Sequence, residues 1–115
     1  MDHGNHQKQA KKPKQLDTLA KGYDAIHLQE VHGNRTRIVL FFSPYYKETH
    51  WLVYNPHAHD GSGGTVSMYK KFTFGKKAQK QAILVRGRVA FAWFSRNSKS
   101  QAFGNVHDFA FSVAD

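Results

Sequence analysis

Lysine, arginine and aromatic residues alternate closely between Tyr69 and Arg96, and no acidic residue lies among them. Cationic side chains neutralise phosphate groups, and exposed rings stack on nucleobases, with each stacked base contributing about 1–3 kcal/mol. We therefore predict a surface that binds single-stranded DNA or RNA with little preference for sequence. The candidate binding residues, taken from this segment and from the aromatic segment before it, are Tyr45, Tyr46, Trp51, Tyr69, Lys70, Lys71, Lys76, Lys77, Lys80, Arg86, Arg88 and Trp93.

Positive charge is concentrated in one part of the chain. The sequence has 17 Lys and Arg against 8 Asp and Glu, a net charge of +9 at pH 7, and a pI of about 9.9. Nine of the cations, equal to the whole net charge, lie between Asp60 and Asp108, where there is no acidic residue. A face that serves only solubility usually mixes both signs of charge. The pattern therefore indicates a polyanionic partner, either nucleic acid or an acidic protein surface.

A second group of chemically capable residues is the sequence HAHD, which contains His57, His59 and Asp60 and is followed by Gly-Ser-Gly-Gly. Two histidines two positions apart point to the same side of a strand, and with a carboxylate they are able to bind a divalent metal such as zinc or manganese. Glycine and serine, however, are typical of a turn between strands. We interpret HAHD as a polar loop and predict no metal and no cofactor.

The chain is rich in histidine, with eight in total. A metal-independent ribonuclease requires a base, an acid and a cation that stabilises the developing charge on phosphate, and His, Glu, Lys and Arg fill these roles. The residues considered for this chemistry are His27, His32, His50 and His107, with Glu30 and Glu48 as carboxylates. Since their spacing is not diagnostic of any catalytic arrangement, we assign no catalytic residue.

The elements that must position these residues are mostly strands. Residues 1–12 are polar and basic without apolar periodicity, which predicts a flexible N-terminal arm. Residues 13–115 are long enough for one β-rich domain with a single core. Helical spacing of apolar residues between Pro13 and Gly22 predicts a first short helix, and strong helix formers at 76–82 predict a second.

Six strands are expected from alternating or continuous apolar runs. Their ranges are 23–31, 35–42, 50–56, 65–74, 83–95 with a bulge at residue 87, and 106–113. The first two are expected to pair through a hairpin turn at 32–34. The phenylalanines that lie in apolar strands are expected in the core, and these are Phe41, Phe91, Phe109 and Phe111. The fold class is β-rich α+β, with antiparallel strands in a curled sheet or a partly open barrel.

Composition excludes several classes of protein. The chain has no cysteine, which excludes disulfide frameworks and thiolate metal sites. No apolar run approaches the roughly 18 residues of a membrane span, and the first residues include no apolar segment that could act as a signal peptide. We therefore expect a soluble protein inside the cell.

Three hypotheses of function follow from these observations. The leading one is a non-enzymatic, sequence-tolerant protein that binds single-stranded nucleic acid. The second is a small nuclease that uses histidine acid/base or metal chemistry. The third is a protein-binding module that docks on an acidic partner, for example a virus-encoded inhibitor or a virion component.

Overall fold

The computed structural model of the chain describes residues 14–57, 63–75, 80–96 and 99–107. Helix α1 covers residues 14–22, helix α2 covers Arg35–Tyr46, and α3 is the single turn Lys71–Phe74. The strands are β1 (Ala25–Val31), β2 (His50–Asn55), β3 (Gly64–Lys70), β4 (Lys80–Val85), β5 (Val89–Arg96) and β6 (Lys99–Val106). No helix in these ranges is long and apolar enough to cross a membrane.

The described strands form two antiparallel sheets of three strands each. Sheet A has the order β1-β3-β2, and sheet B has the order β4-β5-β6. The predicted class, a small β-rich fold with antiparallel strands and short helices, is confirmed. The two sheets do not make a closed barrel, so the expected curled or partly open arrangement describes them only loosely.

Strand β3 is the centre of the fold, because both of its faces are buried. Side chains alternate along a strand, so one set faces the helices and the other faces sheet B. The first core cluster joins α1, α2, β1 and β3 and contains Leu16, Ala20, Ile26, Ile38, Phe42, Tyr46, Val66 and Met68. The second joins the two sheets and contains Val53, Tyr69, Ala90, Ala92 and Phe94. The layers are therefore helices, sheet A and sheet B.

Two buried asparagines connect the sheets on either side of β3. Asn55 of β2 accepts a hydrogen bond from Gly87 N at 2.7 Å and donates one to Val85 O at 3.1 Å. Asn105 of β6 donates to Leu28 O at 3.3 Å. Buried polar groups are stable only when they are hydrogen-bonded, so these contacts fix how sheet B sits on sheet A.

Residues 35–42 belong to helix α2, and the predicted strand is wrong. The Asn34 side chain caps the helix by accepting a hydrogen bond from Arg37 N at 2.9 Å. Three side chains spaced four residues apart are buried on one face of the helix: Ile38, Phe42 and Tyr46. Burial of this stripe outweighs the strand preference of β-branched and aromatic residues. The expected hairpin at 32–34 is also wrong, since β1 pairs with β3.

Other predicted elements are confirmed over part of their predicted ranges. The helix predicted between Pro13 and Gly22 is present over residues 14–22, and the strand predicted at 50–56 is present as β2. The strand predicted at 65–74 ends at Lys70, because the next four residues form α3.

The remaining corrections concern sheet B. Residues 80–82 open β4 and are not helical, while 76–79 lie outside the described ranges. The segment 83–95 is not one bulged strand but a hairpin, which turns at Gly87 with φ +75°. The last described strand is Lys99–Val106, and most of the strand predicted at 106–113 lies outside the described ranges, as does the predicted arm.

Candidate functional site

The outer face of sheet B carries two aromatic rings side by side. In β5 the residues Ala90, Ala92 and Phe94 are buried against sheet A, so the alternate residues Phe91 and Trp93 point outward and are half-buried. Their ring planes differ by 27° and their centroids lie 5.9 Å apart. We call this outer surface of β4, β5 and β6 the stacking face.

Small residues flank both rings on the neighbouring strands. Phe91 is opposite Ala82 and Gly104, and Trp93 is opposite Ala102. A Cβ atom added at Gly104 would come within 2.6 Å of Phe91 Cε1, so this ring leans over the glycine. Only small residues therefore lie opposite Phe91, and a small residue lies opposite Trp93 on β6, so part of each ring remains accessible.

Cations and apolar side chains border the stacking face. Lys80 is opposite Trp93 and exposed, and Arg86 is exposed in the β4–β5 turn, where Arg88 is half-buried. Leu84, in β4, is 63% exposed. The surface therefore combines stackable rings, positive charge and apolar area.

A groove of about 520 Å³ lies where α1, the end of α2, β2, β3 and α3 meet. We call it the basic groove. Helix α2 ends at Tyr46, and a three-residue turn leads into β2, whose first residue His50 is opposite Lys70 of β3. Lys71 N then donates to Thr49 O at 2.9 Å, which holds the start of α3 against this turn. The local fold therefore places His50 beside two consecutive lysines.

Lys70 and Lys71 are anchored by backbone carbonyls. Lys70 Nζ donates to Lys21 O at 3.3 Å, and Lys71 Nζ donates to Lys47 O at 2.8 Å. An ammonium group has three donors, so further hydrogen bonds to a ligand remain available. Two carboxylates also line the groove: Asp17, which pairs with Lys21 at 3.1 Å, and Glu48.

Two exposed rings also line the basic groove. Phe72, in α3, is 93% exposed, and Tyr45, in α2, is 59% exposed. Leaving a phenylalanine almost wholly in water forgoes about 1.5–3 kcal/mol of burial free energy. Such exposure beside cations is typical of a contact surface.

His50 is the buried titratable group of the groove, with 5% of its surface exposed. Its Nδ1 lies 2.7 Å from Thr49 Oγ1, and its ring meets the Tyr46 ring edge-on at 5.7 Å between centroids. Its Nε2 has no hydrogen-bond partner. Burial lowers the pKa of His50, and Lys70 lowers it further, with an opposing effect of Asp17. Burial and the neighbouring lysine therefore both disfavour the protonated imidazole.

The structure distributes the predicted binding residues over these two surfaces. Tyr45, Lys70 and Lys71 line the basic groove, with Trp51 below Lys71. The residues on or beside the stacking face are Lys80, Arg86, Arg88 and Trp93. Lys76 and Lys77 lie outside the described ranges.

Two predicted rings are core residues. Tyr46 is 3% exposed and Tyr69 is 1% exposed, because each lies on the face of its element that a core cluster covers. Neither ring is accessible to a base, which corrects both predictions. Conversely, Phe91, which is predicted to lie in the core, points outward. The two-residue spacing of Phe91 and Trp93 places both on one face of the strand, but it does not indicate which face is exposed.

The other candidate histidines make contacts that hold the fold together. His27 Nε2 lies 2.8 Å from the Tyr69 hydroxyl. Glu30 lies between two histidines, 2.7 Å from His107 Nε2 and 3.4 Å from His32 Nε2. These contacts join β1 to β3 and to the end of β6.

HAHD lies mostly outside the described ranges, which include only His57. Within those ranges, no group of three or more His, Asp or Glu residues could hold a metal ion. Comparison of the chain with known proteins gave no match to a family model, a curated protein or a solved structure.

Proposed function

We propose that the protein binds single-stranded nucleic acid without cleaving it, through the stacking face and the basic groove. The observation that carries this proposal is the pair Phe91 and Trp93, two nearly parallel rings on an accessible sheet face with Lys80 opposite Trp93. Proteins that bind single strands combine rings on which bases stack with cations that contact the backbone.

The type of surface favours single strands over duplexes. Bases in a duplex are stacked on one another, and their edges are read by a helix or a ribbon in the major groove. Neither surface described above presents a helix in that way. Aromatic rings on the central strand of a sheet instead suit bases that have been unstacked and splayed out.

The test is a titration of single-stranded RNA, single-stranded DNA and duplex DNA at several salt concentrations. We expect the single strands to bind more tightly as salt falls and to quench tryptophan fluorescence. Trp93→Ala should weaken binding about tenfold, the loss expected for one stacked base. Tyr69→Phe is the matched control, since it alters a buried ring and should leave affinity unchanged.

A denaturing gel of the same samples distinguishes binding from cleavage. Intact strands support the proposal, whereas cut strands would favour the nuclease hypothesis. Weak binding to all three nucleic acids with a shallow salt dependence would overturn both.

A protein-binding module is the second candidate, favoured by the apolar edge of sheet B. Among the described strands, β4 lies at one edge of sheet B and pairs only with β5. It exposes Ile83, Leu84 and Val85. An exposed apolar edge strand is a template for pairing with an extended segment of another protein. Nucleic-acid binding by the variant Leu84→Lys separates the two candidates.

A further inference from the structure

Strand β4 is an exposed, apolar edge of the fold. Among the described strands it pairs only with β5, and three consecutive apolar side chains in it are exposed: Ile83, Leu84 and Val85. Successive side chains of a strand point to opposite faces, so both faces of β4 are accessible. Such an edge is a template for pairing with a further strand.

A cation lies at each end of this edge. Lys80 is the first residue of β4, Arg86 follows its last residue, and both side chains are exposed. No acidic residue lies between Asp60 and Asp108 in the sequence to balance them. We call residues 80–86 the β4 edge. Its complement is an extended segment that is apolar in the middle and acidic at both ends.

Residues 108–115, which lie outside the described ranges, have a sequence of this kind, DFAFSVAD. Its first and last residues are acidic, and Phe109, Phe111 and Val113 alternate with small residues between them. Aromatic and β-branched residues at two-residue spacing are able to cover one face of a strand pair. In extended chains the two aspartates would be about 23 Å apart, and the two cations of the β4 edge about 20 Å. Charge and length therefore match at both ends.

The other edge strands fit this segment less well. The outer edge of β1 is flanked by Asp24 and Glu30, which carry the same sign of charge as the segment. Like charges opposite one another destabilise a strand pair. Strand β2 exposes no large apolar side chain, and β6 exposes only Val106.

Pairing of β4 with β4 of a second copy is also disfavoured. An antiparallel pair centred on Ile83 would place Lys80 of each copy opposite Arg86 of the other. This arrangement brings together like charges at both ends of the pair. The β4 edge therefore suits an acidic segment and not a second β4.

The segment is too short to cover the β4 edge of its own chain. Val106 pairs with Val89, which in turn pairs with Val85, so β6 ends on the side of sheet B where β4 ends. Strands lie about 4.8 Å apart, so the position outside β4 is about 14 Å from β6. Since a residue spans at most about 3.6 Å, about four of the eight residues would be needed for this crossing. A segment from a second copy has no such constraint.

We propose that the β4 edge binds residues 108–115 of a second copy of this chain, which add a fourth strand to sheet B. Asp108 and Asp115 pair with the cations at the two ends, and the alternating rings cover exposed apolar side chains of β4. Each copy has one edge and one segment, so the contact is either reciprocal within a dimer or continues from copy to copy. This inference goes beyond the proposed function, because it requires no nucleic acid.

Sedimentation velocity of the full chain, over a series of concentrations and without nucleic acid, tests the inference. The contact is small, so we expect weak association that depends on concentration and decreases as salt is added. The edge variant combines Lys80→Glu with Arg86→Glu. The segment variant combines Asp108→Lys with Asp115→Lys. Each should weaken self-association about tenfold, because attraction at both ends becomes repulsion.

An equimolar mixture of the two variants is the decisive sample. In the mixture the basic edge of the segment variant meets the acidic segment of the edge variant, and the acidic edge meets the basic segment. Opposite charges are then restored in both contacts, so the mixture should associate about as strongly as the wild-type protein. A variant that had lost association through misfolding would not recover it in this way.

Lys14→Glu with Lys47→Glu is the matched control for the edge variant. It makes the same change in net charge at two exposed lysines outside sheet B, and it should associate like the wild-type protein. If a variant does not fold, a synthetic peptide of residues 108–115 replaces it. This peptide should dissociate the wild-type copies by competition, whereas the same peptide with lysine at both ends should not.

Three results would overturn the inference. The wild-type protein remains monomeric throughout the series, or the edge variant associates as strongly as the wild-type protein, or the mixed variants fail to associate. Each of these results leaves the proposed function standing, because that function is tested separately by titration with nucleic acid.

Discussion

The ammonium group of Lys71 lies 4.6 Å from the centroid of the Trp51 ring. The same group donates to Lys47 O at 2.8 Å. A cation held by a ring and by a carbonyl has little side-chain freedom left to lose when a ligand binds. Lys71 is therefore a fixed positive charge at the edge of the basic groove.

The first prediction concerns this charge. Lys71→Met keeps the length of the side chain but removes one phosphate contact, so the slope of log K against log salt should become shallower by about 0.7 for a single strand. Affinity should fall by similar factors for oligo(C) and oligo(U), because a phosphate contact does not distinguish bases. Arg37→Met is the control, since Arg37 lies near the other end of α2. An unchanged slope in Lys71→Met would contradict the assignment of the groove.

The sequence was sufficient to predict which types of residue form the candidate binding surfaces. It did not indicate which residues come together on the same surface. Lysines beside rings identified Tyr45, Lys70 and Lys71, and all three line the groove. The position of Lys70 opposite His50 depends on the register of β2 against β3, which local sequence does not encode. Likewise, both faces of β5 are apolar, so only the packing of sheet B on sheet A determines that Phe91 and Trp93 point outward.

The incorrect prediction of a strand at residues 35–42, which belong to helix α2, has a related cause. Residues 38–42 are continuously apolar, and such a run suits a buried strand or a buried helix equally well. The decisive local signal was the cap at Asn34, followed by Ile38 and Phe42 four residues apart. Helix α2 then separates β1 from β2 in the chain, and β3 occupies the place between them in sheet A.

The second prediction is that the stability of the fold decreases in mild acid. The pKa of His50 is lowered by burial and by Lys70 and Lys71, with an opposing effect of Asp17, and the pKa of His27 is lowered by partial removal of its ring from water. Below the ordinary histidine pKa of about 6.5, the unfolded chain binds more protons than the folded chain. The free energy of unfolding should therefore fall as pH decreases through this value.

Urea unfolding at pH values of about 7.5 and 5.5, on either side of the ordinary pKa, measures this effect. His50→Gln cannot be protonated, so its urea midpoint should depend less on pH than that of the wild-type protein. His32→Gln alters an exposed histidine and serves as the control. An identical pH dependence in His50→Gln and the wild-type protein would show that His50 does not contribute.

The third prediction concerns the junction of the two sheets at Asn55. This side chain is fully buried and bonds both Gly87 N and Val85 O. Asn55→Ala leaves the buried Gly87 N–H and the partly buried Val85 carbonyl unpaired, so the free energy of unfolding should fall by about 2–4 kcal/mol. Gln81→Ala removes a contact of similar chemistry, to Leu52 O, but from an exposed side chain. It should cost less than about 1 kcal/mol, because water replaces the lost bond.

Chemical denaturation of both variants at neutral pH provides the measurement. A small loss in Asn55→Ala, comparable to that of Gln81→Ala, would mean that water enters the junction and satisfies both backbone groups. A large loss would show that the asparagine fixes the position of the β4–β5 hairpin, and therefore of the stacking face that the hairpin carries.

The fourth prediction separates the two candidate functions at Leu84, which is 63% exposed in β4. Leu84→Lys adds a cation to β4, the strand that pairs with β5, and removes apolar area. If the face binds a nucleic-acid strand, affinity should rise at low salt and the salt slope should steepen by about 0.7. Leu40→Lys, which adds the same charge at a leucine that is 68% exposed on α2, should change binding less. If sheet B instead docks a protein segment through its apolar edge, Leu84→Lys should leave the affinity for nucleic acid unchanged. That result would favour the protein-binding module.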